Sequence, residues 1–392
     1  MGSNLLAQLK EMDRVTLTEI VRKVQDCPDL SIVDWTVEPL THEKVISTTG
    51  GLFRFSGLAL HKQKELPWTV VLKCINNPKP RKQRPRGWSY WKREALAFMS
   101  GFLEQLPPGA RAPHYYGAIE RDDGVWLWIE YIQEATGQAW SLSDFRRTAQ
   151  QWGFFQGAYL SGTPLIDYPW LSRSFFRDIW AEGGTWANIM SPETDRNAWL
   201  LPLVQQNFDD QQKTRVLQLI ADKQRFFEAN DTLPQVLCHN DAHRRNFMWL
   251  QSQTTGEEEL IGIDWAFLGH GACGNDLGEL VGTSLYLFDF DPYQAETLET
   301  AVFKGYLAGV SEHHLDIDER LIRLGYLISL SFWMGAAIPG WVAILMSPNA
   351  RADVQAMCGR PKEDVLAGWV HLNEFCLDRA DEARNLMRQL DL

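Results

Sequence analysis

Four residues, His239, Asp241, Asn246 and Asp264, stand at a spacing that leaves the chain few ways to fold around them. They lie in the segments Val236-Leu-Cys-His-Asn-Asp-Ala-His-Arg-Arg-Asn-Phe-Met-Trp249 and Leu260-Ile-Gly-Ile-Asp-Trp265. Apolar runs flank the first three and lead into the fourth, so the pattern predicts a tight polar loop between strands and a further strand that ends at Asp264. The residue types limit what this loop can do. Asp241 offers a carboxylate able to receive a hydroxyl proton, while Asn246 and Asp264 offer the oxygen ligands that a hard cation such as Mg²⁺ prefers. A carboxylate toward an acceptor hydroxyl, and oxygens that fix a cation on nucleotide phosphates, are what phosphoryl transfer asks of a protein.

The pattern H-x-D-x-x-x-x-N, followed by an apolar strand ending in Asp, resembles the catalytic loop and metal strand of the aminoglycoside phosphotransferase and choline kinase-like group, small-molecule relatives of the protein kinases. The loop in that group commonly reads H-G-D-x-H-x-x-N. Here the second histidine is kept as His243, and Asn240 replaces the glycine. Asn tolerates positive φ better than other non-glycine residues, so the loop backbone remains accessible. The metal strand reads Ile-Asp-Trp, not the Asp-Phe-Gly of protein kinases.

The resemblance covers about Val45 to Leu285 and implies a two-lobed α+β, protein kinase-like fold. Residues 1–133 would form a small antiparallel-sheet, nucleotide-binding lobe with a helical extension, and 134–392 a large, mostly helical catalytic and acceptor-binding lobe. It implies Asp241 as catalytic base or hydroxyl-orienting residue, His239 as support for the loop, and Asn246 and Asp264 as Mg²⁺ ligands. Lys73, in the apolar strand Trp68–Ile75, falls where the family holds the α- and β-phosphates, and Glu94, in a helix over Tyr90–Phe98, would pair with it. Without the resemblance, Lys73 would read as the wet face of a half-exposed strand. Glu130, Tyr131 and Ile132 occupy the place where main chain meets the adenine edge. Val45 to Leu60 reads as strand, turn, strand, with Gly50 and Gly51 in a turn that closes over phosphates, although a plain hairpin needs such glycines equally. Asp276 would open a helix and brace the catalytic loop, or act as an ordinary N-cap.

The implied reaction moves the γ-phosphoryl group of ATP or GTP, with Mg²⁺, to a hydroxyl of a small molecule: an aminoglycoside-like or other amino sugar, a sugar, or an amino alcohol. The alternative is a nucleotide-binding, catalytically silent relative. A protein kinase ranks third, because no Asp-Phe-Gly and Ala-Pro-Glu pair frames an activation loop. Candidate acceptor groups are the acids Glu182, Asp209, Asp210, Glu279 and Asp289 and the Trp-rich stretch 167–203, where the ordinary expectation is solvated acids and core tryptophans.

Composition narrows the class further. With 392 residues, 45% of them hydrophobic, and 17 Trp, the chain has ample material for a core. A net charge of −12 argues against a general nucleic-acid partner, and the basic run 78–87 then reads as a solvated loop or a flap over the nucleotide. Six singly scattered cysteines fit a reducing cytoplasm, with Cys238 a small apolar filler at a strand end. Leu324 to Met346 carries no formal charge, but Pro339-Gly340 should divide it into two buried helical pieces, so no membrane partner is expected. Further helices are expected from Leu17 to Val24, from Ser141 or Ser143 through Tyr159, and from Gln211 to Ala229.

Overall fold

Segments with period-2 hydrophobicity occupy the first third of the chain and segments with period-3.6 hydrophobicity the remainder, and the structure separates along that line. The computed structural model describes residues 2–40, 49–78, 84–134, 139–182, 197–251, 256–346, 350 and 353–392. It comprises two compact units, one of residues 1–85, 89–106 and 111–134, the other of 86–88, 107–110 and 135–392. A five-stranded antiparallel sheet in the first and a mostly helical second give the α+β, kinase-like fold class expected.

The first unit begins with α1 (Gly2–Lys10) and α2 (Arg14–Val24). Asp13 caps α2 by accepting the Thr16 N–H at 2.8 Å, and Leu17, Ile20 and Val21 recur at helical spacing to form its buried face. The sheet runs in the order β1 (Ser31–Pro39), β2 (Thr49–His61), β3 (Lys64–Asn76), β5 (Gly124–Ile129), β4 (Tyr115–Arg121). Along β3 the side chains alternate. Trp68, Val70, Leu72 and Cys74 join α2 in one core with Phe55 and Trp128, whose rings meet edge-on at 4.9 Å. Lys73 therefore faces the other way, toward α3 (Arg93–Met99).

One sequence expectation needs correction here. Gly50 and Gly51 do not form a turn; they lie inside β2, at a bulge where Thr49 pairs with Ile75 and Gly51 with Cys74. The glycine at 51 has a local cause: its φ is 151°, and a Cβ there would meet the Phe53 ring at 2.6 Å. Residues 45–48 of the expected hairpin, and half of the basic run, lie outside the described residues.

The second unit is organised by α4 (Leu142–Leu160), opened by a reciprocal capping box between Ser141 and Asp144. It packs on the helix Ala295–Ser311 at backbone contact. A Cβ on Gly153 would come within 2.2 Å of the Tyr306 carbonyl, and one on Gly309 within 1.9 Å of the Gln150 carbonyl. Gly309→Ala must therefore push the two helices apart. Overpacking of this kind costs about 3 kcal/mol at its upper end, and the helix propensity of Ala returns about 1 kcal/mol. A net loss of about 2 kcal/mol is expected in chemical denaturation.

The expected single helix 211–229 is two, Asp210–Ala221 and Lys223–Thr232, broken at Asp222. The apolar stretch after Gly325 is also divided, but upstream of the proline: the helix Glu319–Leu330 passes through a π turn, Ser331–Ala336, into Ile338–Leu345. Pro339 stands in the first turn of the last piece, where its missing N–H is harmless. By length and composition Glu319–Leu345 could cross a membrane, and 78% of its most apolar window is buried within the fold.

Candidate active site

The loop between β6 (Gln235–Cys238) and β7 (Phe247–Gln251) holds Asp241, and local hydrogen bonds explain how. The Asn246 side-chain amide donates to both the main-chain oxygen and the carboxylate of Asp241, each at 2.9 Å. With its Nδ2 so engaged, Asn246 keeps its Oδ1 for another partner. β7 pairs with β8 (Glu258–Gly262), and beyond that ladder the Ile263 N–H donates to the Asn246 carbonyl at 2.9 Å. Asp264 is thereby placed one residue from the Asn246 pairing.

Two backbone conformations shape the site. Asn240 has φ 60°, the left-handed conformation its glycine-like position asks for, and its side chain donates to the Phe267 carbonyl at 2.9 Å. Asp264 also lies in the left-handed region, at φ 59° and ψ 59°, and heads a short 3₁₀ turn without capping it through its side chain. Such a conformation in a non-glycine residue costs about 1 kcal/mol or more and persists where surrounding structure enforces it.

His239 supplies part of that enforcement. Fully buried beneath Trp265, its ring lies 2.8 Å from the Ile263 carbonyl through Nε2 and finds no partner at Nδ1 among the described residues. The proton therefore sits on Nε2, which donates to the residue before Asp264, and burial holds the imidazole pKa below its usual value. His243 lies nearer Asp241: its Nδ1 accepts the Arg245 N–H at 3.2 Å and its Nε2 is 3.5 Å from the Asp241 carboxylate. Burial first, helped by Arg245, lowers it to about 4, so it is neutral near pH 7.

Asp276 accepts four hydrogen bonds in the dry interior: from the main-chain N–H groups of His239 and Asn240, both at 2.9 Å, from Trp152 Nε1 at 3.1 Å and from Gln156 Nε2 at 3.0 Å. It braces the loop as expected, but it is not an N-cap. Gly274 occupies that position at φ 95°, and Asp276 sits in the first turn of the helix Asn275–Tyr286. Trp152 and Gln156 were not anticipated, since nothing in a helix some 120 residues upstream marks them as partners of this carboxylate.

In the first unit, Lys73 Nζ and Glu94 Oε2 form a buried ion pair at 2.6 Å. Glu130 is engaged locally: its carboxylate accepts from Arg111 at 2.7 Å and from the His114 N–H, and its own N–H donates to the His114 carbonyl. Ile132 is half-buried in the segment that follows β5. Gly50 and Gly51 stand in β2 as described.

A model of the phosphotransferase enzyme family matches residues 81–313, more than half of the chain. The chain belongs to this family. Its members are protein kinase-like small-molecule kinases, and this chain is accordingly a small-molecule kinase with a hydroxyl acceptor. The match reaches further toward the C-terminus than the sequence motifs did, and it begins after Lys73. Among solved structures, an amicoumacin kinase in complex with AMP-PNP, Ca²⁺ and Ami is similar at 13% identity and a TM-score of 0.49, covering 93% of this chain and 96% of its own. A microcompartment-associated aminopropanol kinase gives 12%, 0.46, 95% and 99%, and the Plasmodium vivax ethanolamine kinase 13%, 0.46, 89% and 84%. The family assignment stands on the family model. No curated protein matches the chain.

Several of the candidate acceptor groups of this phosphotransferase have structural duties. Asp209 caps the helix Asp210–Ala221, and Asp289 is held by the Arg245 guanidinium at 3.0–3.2 Å, which also accounts for one of the two unusual arginines in the loop. Arg244 is buried over the Trp140 ring at 4.4 Å. Trp170 stacks on Tyr168, and Trp180 packs on Phe332, both within the core. Trp186 and the Glu182 side chain lie outside the described residues. Cys238 is the buried filler expected, its thiol pushed well above the usual range by burial.

Proposed function

We propose that this phosphotransferase moves the γ-phosphoryl group of ATP or GTP to a hydroxyl of an amino sugar, sugar or amino alcohol, and that it does so in the cytoplasm with Mg²⁺. The observation that carries the reading is the Asp241–Asn246 pair with Asp264 beside it. One carboxylate is oriented by an amide nitrogen, the amide oxygen remains, and the residue before Asp264 is tied to the Asn246 carbonyl. Oxygen donors of this kind fit a hard divalent cation, so Asn246 Oδ1 and Asp264 are the groups to hold Mg²⁺, which would neutralise phosphate charge when bound.

In this reading Asp241 receives the proton from the acceptor hydroxyl, and an in-line displacement on the γ-phosphorus follows. His239 is a positioning residue: it ties the loop to the strand that carries Asp264. Lys73, oriented by Glu94, holds the α- and β-phosphates. Gly50, Gly51, Glu130 and Ile132 would approach the nucleotide through main chain, although the N–H of Glu130 is already committed to His114.

The test is ADP release from ATP and from GTP across a panel of aminoglycosides, sugars and amino alcohols, with Mg²⁺ present or chelated. Release stimulated by an acceptor and abolished by EDTA is the expected result. Nucleotide binding without turnover on any acceptor would replace the reading with that of a silent relative.

A further inference from the structure

Residues 86–88 belong to the second compact unit, although the chain on either side of them, 1–85 and 89–106, belongs to the first. Two contacts hold them there. The Arg86 guanidinium donates to Asp167 at 3.1 Å, and Asp167 also accepts from Arg173 at 3.0 Å. Trp88 lays its ring over Phe267, with centroids 6.1 Å apart and planes at 29°. Both rings are half-buried, so neither is there merely to fill a dry core. Ring pairs at this separation attract beyond the area they cover.

Phe267 is where the stack has consequences. It closes the 3₁₀ turn Trp265–Phe267, which Asp264 heads in the left-handed conformation. The front of that turn is fixed by the fully buried Trp265, whose indole N–H donates to the Gly262 carbonyl at 2.7 Å. The back is fixed at Phe267. Its ring is held by Trp88 and by Phe175, the latter at 5.5 Å, and its main-chain carbonyl accepts from the Asn240 side chain at 2.9 Å. Asn240, also left-handed, is the residue before Asp241. One phenylalanine thus joins the two strained positions that set Asp241 and Asp264, and such positions persist only while their surroundings enforce them. Arg86 reaches the same stretch from the other side of Asp167. The Ser172 carbonyl, next to Arg173, accepts the His270 N–H at 2.8 Å, in the strand Gly269–Ala272 that leads on from Phe267.

Resting on the phosphotransferase reading above, we propose that Trp88 is a positioning residue for the metal site: its ring, stacked on Phe267, fixes the turn that orients Asp264 and, through the Asn240 amide, the loop that carries Asp241. The effect runs through Phe267. Functional side chains keep a productive geometry only when packing locks the residues that support them. Without the Trp88 ring the turn loosens, Asp264 strays from the geometry that oxygen coordination of a divalent cation needs, and the cation is held less tightly.

Mn²⁺ is the probe. Its binding to the protein with the non-hydrolysable nucleotide AMP-PNP is read by electron paramagnetic resonance against a protein-free control, and ADP release is followed as a function of Mg²⁺. Trp88→Ala should weaken Mn²⁺ binding about fivefold, the worth of an aromatic pair beyond its burial. The Mg²⁺ needed for half-maximal ADP release should rise by the same factor, with the acceptor KM unchanged. Trp88→Phe, which keeps a ring over Phe267, should stay within about twofold of the wild type. Urea titration separates this from a purely structural role, which would lower the unfolding midpoint and leave the Mn²⁺ affinity of the folded protein unmoved. If Trp88→Ala does not fold, Trp88→Leu, which keeps apolar volume without a ring, carries the same expectation. Equal Mn²⁺ affinity in the wild type and the ringless variant, or a loss that Trp88→Phe shares in full, overturns the proposal and leaves the phosphotransferase reading standing. A wild-type protein that neither holds Mn²⁺ with AMP-PNP nor releases ADP on any acceptor removes that reading, and the present one with it.

Discussion

Asp241→Asn should lower kcat by about 10³-fold, the range over which positioned acid–base groups act, while the KM for nucleotide stays within a factor of about two. The substitution is close to isosteric, and the surroundings tolerate it. The Asn246 amide can still donate to the side-chain oxygen and to the main-chain carbonyl of residue 241, so the loop keeps its internal bonds. What disappears is the capacity to take a proton, along with the negative charge that orients the acceptor hydroxyl. His243, 3.5 Å away, is not expected to substitute. Its own position is fixed by the Arg245 N–H, and a base with a pKa of about 4 is a weak one. Steady-state kinetics with whichever acceptor stimulates ADP release decide the matter. A loss confined to acceptor KM would make Asp241 a binding group, and no loss would move the chemistry away from this loop.

The parts of this site that were legible in the sequence are those whose chemistry and geometry are local. Asp241, Asn246 and Asp264 declared themselves because an eight-residue loop and a short hairpin must return them to one place, and Asn240 because few non-glycine residues accept positive φ. Lys73 and its partner Glu94 were legible only through the resemblance, because the strand taken alone reads as half-exposed with its lysine on the wet face. Side-chain alternation along β3, which puts Lys73 opposite the α2 core, was implicit in the same stretch. The four-donor setting of Asp276 was not legible, since Trp152 and Gln156 belong to a helix more than a hundred residues upstream and look like ordinary core residues there. The duty of Asp289 was hidden in the same way, because its Arg245 is 44 residues distant. The two glycines of β2 misled for the opposite reason: a bulge and a turn ask for the same residue, and only the strand pairing tells them apart.

Asp276→Ala is the substitution expected to damage the fold most. It strands four donors at once: two main-chain N–H groups of the catalytic loop, the Trp152 indole and the Gln156 amide. Gln156 in turn accepts from the Tyr306 hydroxyl, so the loss reaches the helix behind it. Each stranded buried donor costs roughly 1–3 kcal/mol, for a gross loss of at least about 4 kcal/mol and at most about 12 kcal/mol. One term opposes this. Burial raises the Asp276 carboxyl from 3.8 to about 6 against the pull of its donors, so removing an ionised group from the interior returns about 3 kcal/mol near neutral pH. The midpoint of these estimates leaves a net loss of about 4–5 kcal/mol, or on the order of 10 °C in Tm for a unit of this size. The sign of the pH dependence follows from the raised value. Between about pH 4 and 6 the native protein holds a proton that the unfolded chain has released. The stability owed to this group therefore falls as pH rises through that window, and the penalty is complete above it. Alanine has no such dependence, so the stability gap between wild type and variant should widen by about 1 kcal/mol from pH 7.5 to pH 5. Urea titrations of both proteins at the two pH values measure it directly. A gap that narrows on acidification would mean that the four donors outweigh burial and hold the carboxyl below its ordinary value.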